Sequence, residues 1–424
     1  IKKSIEIFEK SRERIPISEA VEIGEKIVKY LKSNQDVEQV IPAGSLRRMK
    51  ETVGDIDILA TGIDGKKIID HFIVYPNTER VIASGDTKAS ILVRTDRETR
   101  QIDLRILPQE SFGAALQYFT GSKEHNIKLR RIAREKGLKI NEYGVFQGKN
   151  RIAGRTEEEV YKAVGLPYIP PELREDRGEI EVGYKGEIPK LIDIADIKGD
   201  LHVHSNYSDG ASTLQEIAEF AKSLNYKYVA ICDHSKSVNY AGGLSEEKLR
   251  RQMIEIERLN TDQEVKILRG TEVDILKNGD LDFPDEVLEE LDLVVAAVHT
   301  GFKQDVTDRI IKAIENPNVD IIAHPSGRLI SRREGYKVDL EAVIKRAKKY
   351  NKILELNAYP DRLDLDDKNL RRTKESGVRV SIGTDAHTAT EMRWMRYGVG
   401  TARRGWLERN DVINTLDEVI FPQS

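Results

Sequence analysis

The stretch GDLHVHSNYSDG (199–210) sets two histidines, His202 and His204, two positions apart and follows them with Asp209. The chain of 424 residues holds only eight histidines, so a pair in one short apolar-flanked run is a signal. In an extended strand the side chains i and i+2 point to one face, and both imidazoles can reach the same ion. Mixed imidazole and carboxylate donors suit Zn, Mn or Fe better than Mg or Ca.

The apolar runs that follow end in the same manner. YVAICDHS ends in His234, VKILRGTEV carries Glu272, LVVAAVHT ends in His299, VDIIAHP ends in His324, and VRVSIGTDAH ends in Asp385 and His387. Amphipathic stretches separate these runs, the pattern of parallel strands joined by helices. In barrels built that way the active site gathers at the C-terminal ends of the strands. A lone histidine at a strand end is more often a satisfied polar group than a ligand. Six of the eight histidines at strand ends is a different matter, and predicts one metal-lined mouth. Several ions side by side there can activate water and neutralise a phosphate ester during hydrolysis.

On the motifs HVHSNYSD, CDHS, GTEVDIL, AVHTG, AHPSGR and GTDAH, residues 198–424 resemble the PHP (polymerase and histidinol phosphatase) domain. The resemblance implies a distorted (β/α)7 barrel with three ions drawn from Mn2+, Zn2+ or Fe2+. It implies one ion on His202, His204, Glu272 and Asp385, a second on Glu272, His299 and His324, and a third on Asp209, His234 and His387. Arg328 in AHPSGR reads either as a phosphate contact or as a salt bridge to a loop carboxylate.

A second informative stretch, AGSLRRMKETVGDIDILA (43–60), lies near the N-terminus. In GDIDIL, Asp55 and Asp57 share one strand face while Ile56 and Ile58 take the other. RQIDLRIL adds Asp103 on a later alternating strand. Three carboxylates so placed can hold a pair of divalent ions for in-line phosphoryl transfer. Upstream, GSLRR offers backbone donors at Gly44, a hydroxyl at Ser45 and cations at Arg47 and Arg48, which suits a triphosphate. A DxD alone is usually a solvated strand face. GS, then DxD ten residues on, then a later strand aspartate is the nucleotidyltransferase arrangement.

Through GSLRR, VGDIDIL, RQIDLRI and LQYFTGSKEHNIKLRRIAREKGLKINEYGVF, residues 1–168 are similar to family X DNA polymerases, DNA polymerase beta among them. The resemblance implies two Mg2+ (or Mn2+) ions on Asp55, Asp57 and Asp103. It places Gly44, Ser45 and Arg48 on the incoming triphosphate, with Gly54 allowing close approach. Tyr118, Phe119 and Gly121 would lie against the nucleotide sugar, and Asn126 and Arg130 would face the nascent pair and template. Arg131, Arg134, Lys136 and Lys139 read as a solvated helical face with general affinity for DNA backbone. No G-x-G hairpin between helices precedes residue 38, so the helix-hairpin-helix domain common in this family is expected to be absent.

The expected fold is therefore α/β and α+β multidomain: helical fingers remnant 1–37, nucleotidyltransferase palm 38–108, helical thumb 109–168, linker 169–197 and PHP barrel 198–424. The linker rests on its Pro, Gly and charge content, and TLQE (213–216) and TEEE (156–159) on capping-box spacing. IKKSIEIFEK (1–10) reads as part of a helix. Residues 1–180 carry 32 Lys and Arg against 29 Asp and Glu, and residues 181–424 carry 36 against 43. Neither balance is extreme. The one cysteine excludes a disulfide framework, and no apolar run approaches the ~20 residues of a membrane span. A cytoplasmic monomer is expected.

Palm before PHP is the layout of bacterial and archaeal family X DNA polymerases. The function expected is DNA repair synthesis from dNTPs on gapped or primer–template DNA, with a 3′–5′ exonuclease or 3′-phosphoesterase in the barrel. The alternative is a small-molecule phosphoesterase of histidinol-phosphatase type fused to a nucleotide-binding module.

Overall fold

The computed structural model describes residues 14–95, 98–262 and 264–419 and divides into two compact units, Ile1–Ile188 and Pro189–Ser424. The expected helix over 1–10 lies outside the described residues. In the first unit β1 (Ile15–Pro16) leads into helix Ile17–Leu31, whose buried residues Ile17, Ala20, Ile23, Gly24, Ile27 and Leu31 recur every three or four positions along one face. Strands β2 (Val37–Pro42), β4 (Ile56–Gly62), β5 (Thr78–Ser84), β6 (Lys88–Arg94) and β7 (Thr99–Ile106) form a sheet of order β2-β4-β7-β6-β5, and β3 (Thr52–Val53) pairs with β1. Only β4 and β7 run parallel, with Asp57 in register with Asp103. Along β7, Ile102, Leu104 and Ile106 are buried while Gln101, Asp103 and Arg105 take the open face, as the alternation predicts.

Helices Phe112–Thr120 and Lys123–Glu135 follow, then the antiparallel strands β8 (Lys139–Asn141), β9 (Gly144–Gln147) and β10 (Asn150–Ala153). Ser122 caps the second helix by accepting from the His125 amide. Thr156 caps helix Glu157–Ala163 through the Glu159 amide. The Glu159 carboxylate, expected to close a capping box, accepts instead from the Gly154 and Arg155 amides.

The expected linker is packed, not free. Residues up to 188 belong to the first unit, with a short helix at Glu179–Lys185. Arg174 is fully buried, donating to Glu157 Oε1 at 2.6 Å and the Ile169 carbonyl at 2.8 Å, beside the Tyr161 and Tyr168 rings. Glu179 is equally buried, 2.7 Å from His125 Nδ1. From residue 189 the chain joins the second unit, where Ile192 and Ile197 enter the core. Two of the segment's charges, Arg174 and Glu179, are internal partners, while Glu181, Lys185, Glu187 and Lys190 stay exposed.

The second unit is a sheet of seven parallel strands in sequence order: β11 (Gly199–Val203), β12 (Tyr228–Ile231), β13 (Lys266–Asp274), β14 (Leu293–Ala297), β15 (Ile321–Ile322), β16 (Ile353–Asn357) and β17 (Val380–Gly383). The sheet nearly closes. Just beyond β17, Val203 bridges Ala386, the Asp385 amide donates to the His202 carbonyl and the His204 amide to the Ala386 carbonyl, both at 2.8 Å. Strand residues split between two cores, with a register shift in β11 between Asp200 and Val203. Leu201, Ala230, Cys232, Val295, Ala297 and Ala323 belong to one, while Val203, Ile231, Val294 and Ala296 pack with Ile217, Met253 and Ile310 of the surrounding helices. Helix Leu214–Ser223 opens on the expected Thr213–Glu216 capping box. Among the described residues no helix is long and apolar enough to cross a membrane.

Arg174→Met should strand the Glu157 carboxylate from one of its buried partners and cost about 3–5 kcal/mol. Far-ultraviolet circular dichroism during urea unfolding should then show loss of structure before the fluorescence of Trp394 and Trp406, both in the second unit, begins to change.

Candidate metal centres

In the first unit the GSLRR turn is locked to the aspartate strand. The Ala43 amide donates to the Asp57 carbonyl at 2.8 Å. Gly44 has φ +61°, and a Cβ there would lie 2.9 Å from Asp57 Oδ2, so glycine is required. Asp57 is flanked by Asp55 and Asp103. Burial first, then the charges of Asp103 and Asp55, push its carboxyl up to about 6. Crowded carboxylates of this kind favour a cation among them.

Ser45 sits in the short helix Gly44–Arg47. Arg47 makes a two-pronged contact with Glu157 at 2.9 and 2.6 Å and donates to Thr120 Oγ1 at 2.7 Å. Arg48 is mostly buried, donating to Glu175 Oε1 at 3.0 Å and the Thr120 carbonyl at 2.5 Å. A Cβ at Gly54 would meet only Arg14 Nη1 among the described residues, at an ordinary 3.6 Å, so packing alone does not demand glycine there.

Tyr118 and Phe119 end helix Phe112–Thr120 edge to face, with ring centroids 5.2 Å apart. Arg130 lies over Tyr118 and Arg105 over Phe119. Asn126 donates to the Tyr118 carbonyl and accepts from Gln117, both at 2.7 Å, and Arg130 Nε donates to the Asn126 carbonyl at 3.2 Å. At Gly121, φ +72°, a Cβ would meet Arg48 Nη1 at 3.2 Å. Tyr118, Phe119, Asn126 and Arg130 thus form one connected group. Arg131, Arg134, Lys136 and Lys139 are exposed, as expected.

In the second unit the nine strand-end donors converge. Among the described residues, the groups whose ligand atoms lie within 4.8 Å of one another are His204, Asp209, His234 and His387; His202, His204 and Asp385; and His234, Glu272 and His299. His324 joins through Nε2, 3.0 Å from Glu272 Oε1. The partition differs from the expected one in that His204 and His234 each serve two groups. Glu272 lies centrally, 3.2 Å from His299 Nε2, 2.8 Å from His234 Nδ1, and 3.7 Å from Nε2 of both His202 and His204. The three palm aspartates do not form a group this tight.

The donor set fits divalent ions. His202 Nε2, both ring nitrogens of His204, His234 Nδ1 and Glu272 Oε2 are buried and, close as some of them lie to one another, none meets a partner in hydrogen-bonding geometry, a costly state that a cation would relieve. Burial opposes charge on His234, yet Glu272 and Asp209 outweigh it and push the imidazole up to about 10. Burial likewise opposes ionised Asp209, yet the His234 and His387 imidazoles hold its carboxyl far below the usual range. Ions entering such a site displace protons. Two donors sit on unusual backbone, Asp385 at φ +54° and His324 at φ +28°, a strain of about 1–3 kcal/mol each that tends to gather at functional sites.

A shell of buried acids, which sequence reasoning missed, orients the donors. Glu355 accepts from His202 Nδ1 at 2.6 Å and from the His324 amide at 2.7 Å. Asp274 accepts from the His299 amide at 3.0 Å and lies 3.3 Å from its Nδ1. Asp200 receives the Thr384 hydroxyl and the His202 amide, and burial pushes its carboxyl up to about 7. Asp233 takes the hydroxyls of Ser205 and Ser208. The available signal was an acid inside an apolar strand, as in ILELN, or two positions from a ligand, as in GTEVD. Arg362, also missed, points Nε at Asp385 Oδ2 from 3.5 Å. Arg328 is held by the Leu363 carbonyl at 2.5 Å.

Comparison with known proteins fits this division. Family models match for DNA polymerase beta palm over residues 14–109, DNA polymerase beta thumb over 115–175 and PHP domain over 200–359. The DNA polymerase/3′-5′ exonuclease PolX of Bacillus subtilis (strain 168) is 44% identical over 411 residues, covering 96% of this chain and 72% of that protein. The chain belongs to the family X DNA polymerases that carry a PHP domain. A probable phosphatase of Thermoanaerobacter sp. (strain X514) is 30% identical over 236 residues, 51% of this chain and 89% of its own length, and its likeness is to the PHP part of this family X member alone. A solved Leishmania infantum polymerase beta, in a ternary P/T complex, covers 40% of this chain and 80% of its own at 24% identity, with a TM-score of 0.36.

Because His204 serves two groups and His387 one, His204→Ala should remove more bound metal than His387→Ala. Glu355→Gln should retain the ions but weaken their affinity by about 10–100-fold. Metal content after dialysis against graded chelator, read by elemental analysis, checks both.

Proposed function

We propose that this chain is a DNA repair polymerase whose palm extends a primer 3′ end and whose PHP barrel removes nucleotides or phosphates from 3′ ends. The observation that carries the proposal is the relative named DNA polymerase/3′-5′ exonuclease, whose likeness runs through both units. The substrates are gapped or primer–template DNA and dNTPs, as in base excision repair, and the chain works as a cytoplasmic monomer.

In the palm, Asp55, Asp57 and Asp103 would hold two Mg2+ or Mn2+ ions. Bound there, the ions supply a lowered pKa for the primer 3′-OH and charge neutralisation for the departing pyrophosphate. Gly44 and Ser45 offer donors to the triphosphate, and Arg48 exchanges Glu175 for phosphate oxygens. Gly54 leaves room beside the aspartates. Tyr118, Phe119 and Gly121 form the floor under the sugar, while Asn126 and Arg130 face the nascent pair and template.

In the barrel, His202, His204, Asp209, His234, Glu272, His299, His324, Asp385 and His387 would hold Mn2+, Zn2+ or Fe2+, three ions in all. Those ions supply Lewis acidity toward the phosphate and acidify water. Glu355 keeps the His202 Nδ1 proton in place so that Nε2 faces the site, and Asp274 does the same for His299. Asp233 braces the serines of the loop that carries Asp209. Arg362, at the mouth, would contact a phosphate oxygen. The phosphatase relatives support phosphate-ester chemistry in this barrel, but they offer nothing for the palm.

The test uses labelled gapped DNA with Mg2+ or Mn2+, with and without dNTPs. Extension with dNTPs and shortening without them are expected. Replacing Asp55 and Asp57 by Ala should abolish extension and leave shortening intact, and replacing His202 or His204 should do the reverse. Loss of both activities from either change in a folded protein would overturn the two-site assignment.

A further inference from the structure

Tyr240 is the most exposed large apolar side chain among the described residues, 80% accessible. Its position is built, not incidental. The loop that bears it leaves β12 just after His234 and is pinned at both ends: the Ser235 amide donates to the Glu272 carbonyl at 3.1 Å, and the Leu244 amide to the His234 carbonyl at 2.8 Å. Midway, the Ser237 amide donates to Asp282 at 2.6 Å and its hydroxyl to Asp274 at 3.2 Å, the acid that orients His299.

The loop turns its other apolar residues inward. Val238, Ala241 and Leu244 are buried, and only the ring of Tyr240 faces out. Two glycines make this possible. A Cβ at Gly243 would sit 2.0 Å from the Ser235 carbonyl oxygen, and one at Gly242, φ +69°, would sit 3.3 Å from that of Ser208, the neighbour of Asp209. The loop therefore rests on the segment that presents Asp209, at the rim of the metal-lined mouth. Although the ring is exposed, protein atoms around it partly desolvate the hydroxyl and, with the charges of Glu272, Asp274 and Asp209, push the phenol up, so the site lies within electrostatic reach of the hydroxyl. On the opposite sign, Arg362 acts on the same hydroxyl and contacts Asp385.

We infer that Tyr240 is a stacking platform for the terminal base of a DNA 3′ end, with the adjoining phosphate directed between Arg362 and the metal-binding cluster. A flat aromatic ring beside a phosphate-processing site matches the recurring means by which proteins hold single strands without reading sequence: every base has a π-face, and a stacked base contributes substantially to binding. This rests on the reading of the barrel as a strand-trimming site and refines it. The preferred substrate is a base-bearing strand end, not a small phosphate monoester.

The test compares two single strands identical but for the last residue, one with a normal 3′ nucleotide and one with a 3′ abasic residue, trimmed by the full chain loaded with Mn2+. The wild type should favour the base-bearing end by about tenfold in kcat/KM, mostly through KM. Tyr240→Ala should lose that preference, with trimming of the abasic strand and phosphate release from glycerol phosphate unchanged, and Tyr240→Trp should keep it. A Tyr240→Ala chain that retains the wild-type ratio would overturn the inference while leaving the trimming function standing. Were the wild type to shorten neither strand yet hydrolyse glycerol phosphate, the trimming function itself would fall and the inference with it.

Discussion

The second unit is organised around one buried carboxylate. Glu272 occupies the centre of the barrel mouth within 3.7 Å of imidazole nitrogens from five histidines. A carboxylate out of water must be compensated, and here compensation comes from separate strands. Two of the imidazoles are in turn backed by a buried acid, Glu355 behind His202 and Asp274 behind His299. Parallel strands in sequence order bring their C-terminal ends to one place, so the fold supplies the convergence and the side chains supply the charge balance.

The first unit solves a related problem with three aspartates and no imidazole. Asp57 and Asp103 face each other across the one parallel pair of the sheet, and Gly44 presses against Asp57. Repulsion among the acids is tolerated because the strand faces behind them, Ile56, Ile58, Ile102 and Leu104, are fully buried and hold the backbone. The two arginines of the neighbouring turn are already paired. Arg47, Arg48 and Arg174 are tied to Glu157 and Glu175, which links the GSLRR turn to the helices that follow the palm.

Much of this was legible in the sequence because period-2 alternation and strand-end chemistry survive folding unchanged. RQIDLRIL alternates in the structure as it does on paper, and every strand-end histidine reaches the mouth. What stayed hidden depends on pairs distant in the chain. Nothing along the chain ties Arg174 to Glu157, 17 residues before it, or Glu355 to His202, 153 residues before it and 2.6 Å away in space. That His204 and His234 each serve two groups was hidden for the same reason: spacing along a strand says which face a side chain takes, not which neighbours from other strands lie closest.

The seam between β11 and β17 has a consequence for the life of the chain before it is finished. His202 and His204 come from the first barrel strand and its end, Asp385 and His387 follow the last, and the two strands meet at the Val203–Ala386 bridge and the backbone bonds beside it. A ribosome must therefore deliver the whole barrel before the donor set exists. A copy that stops before Asp385 lacks part of the donor set, so the cluster is complete only once the last barrel strand has been made.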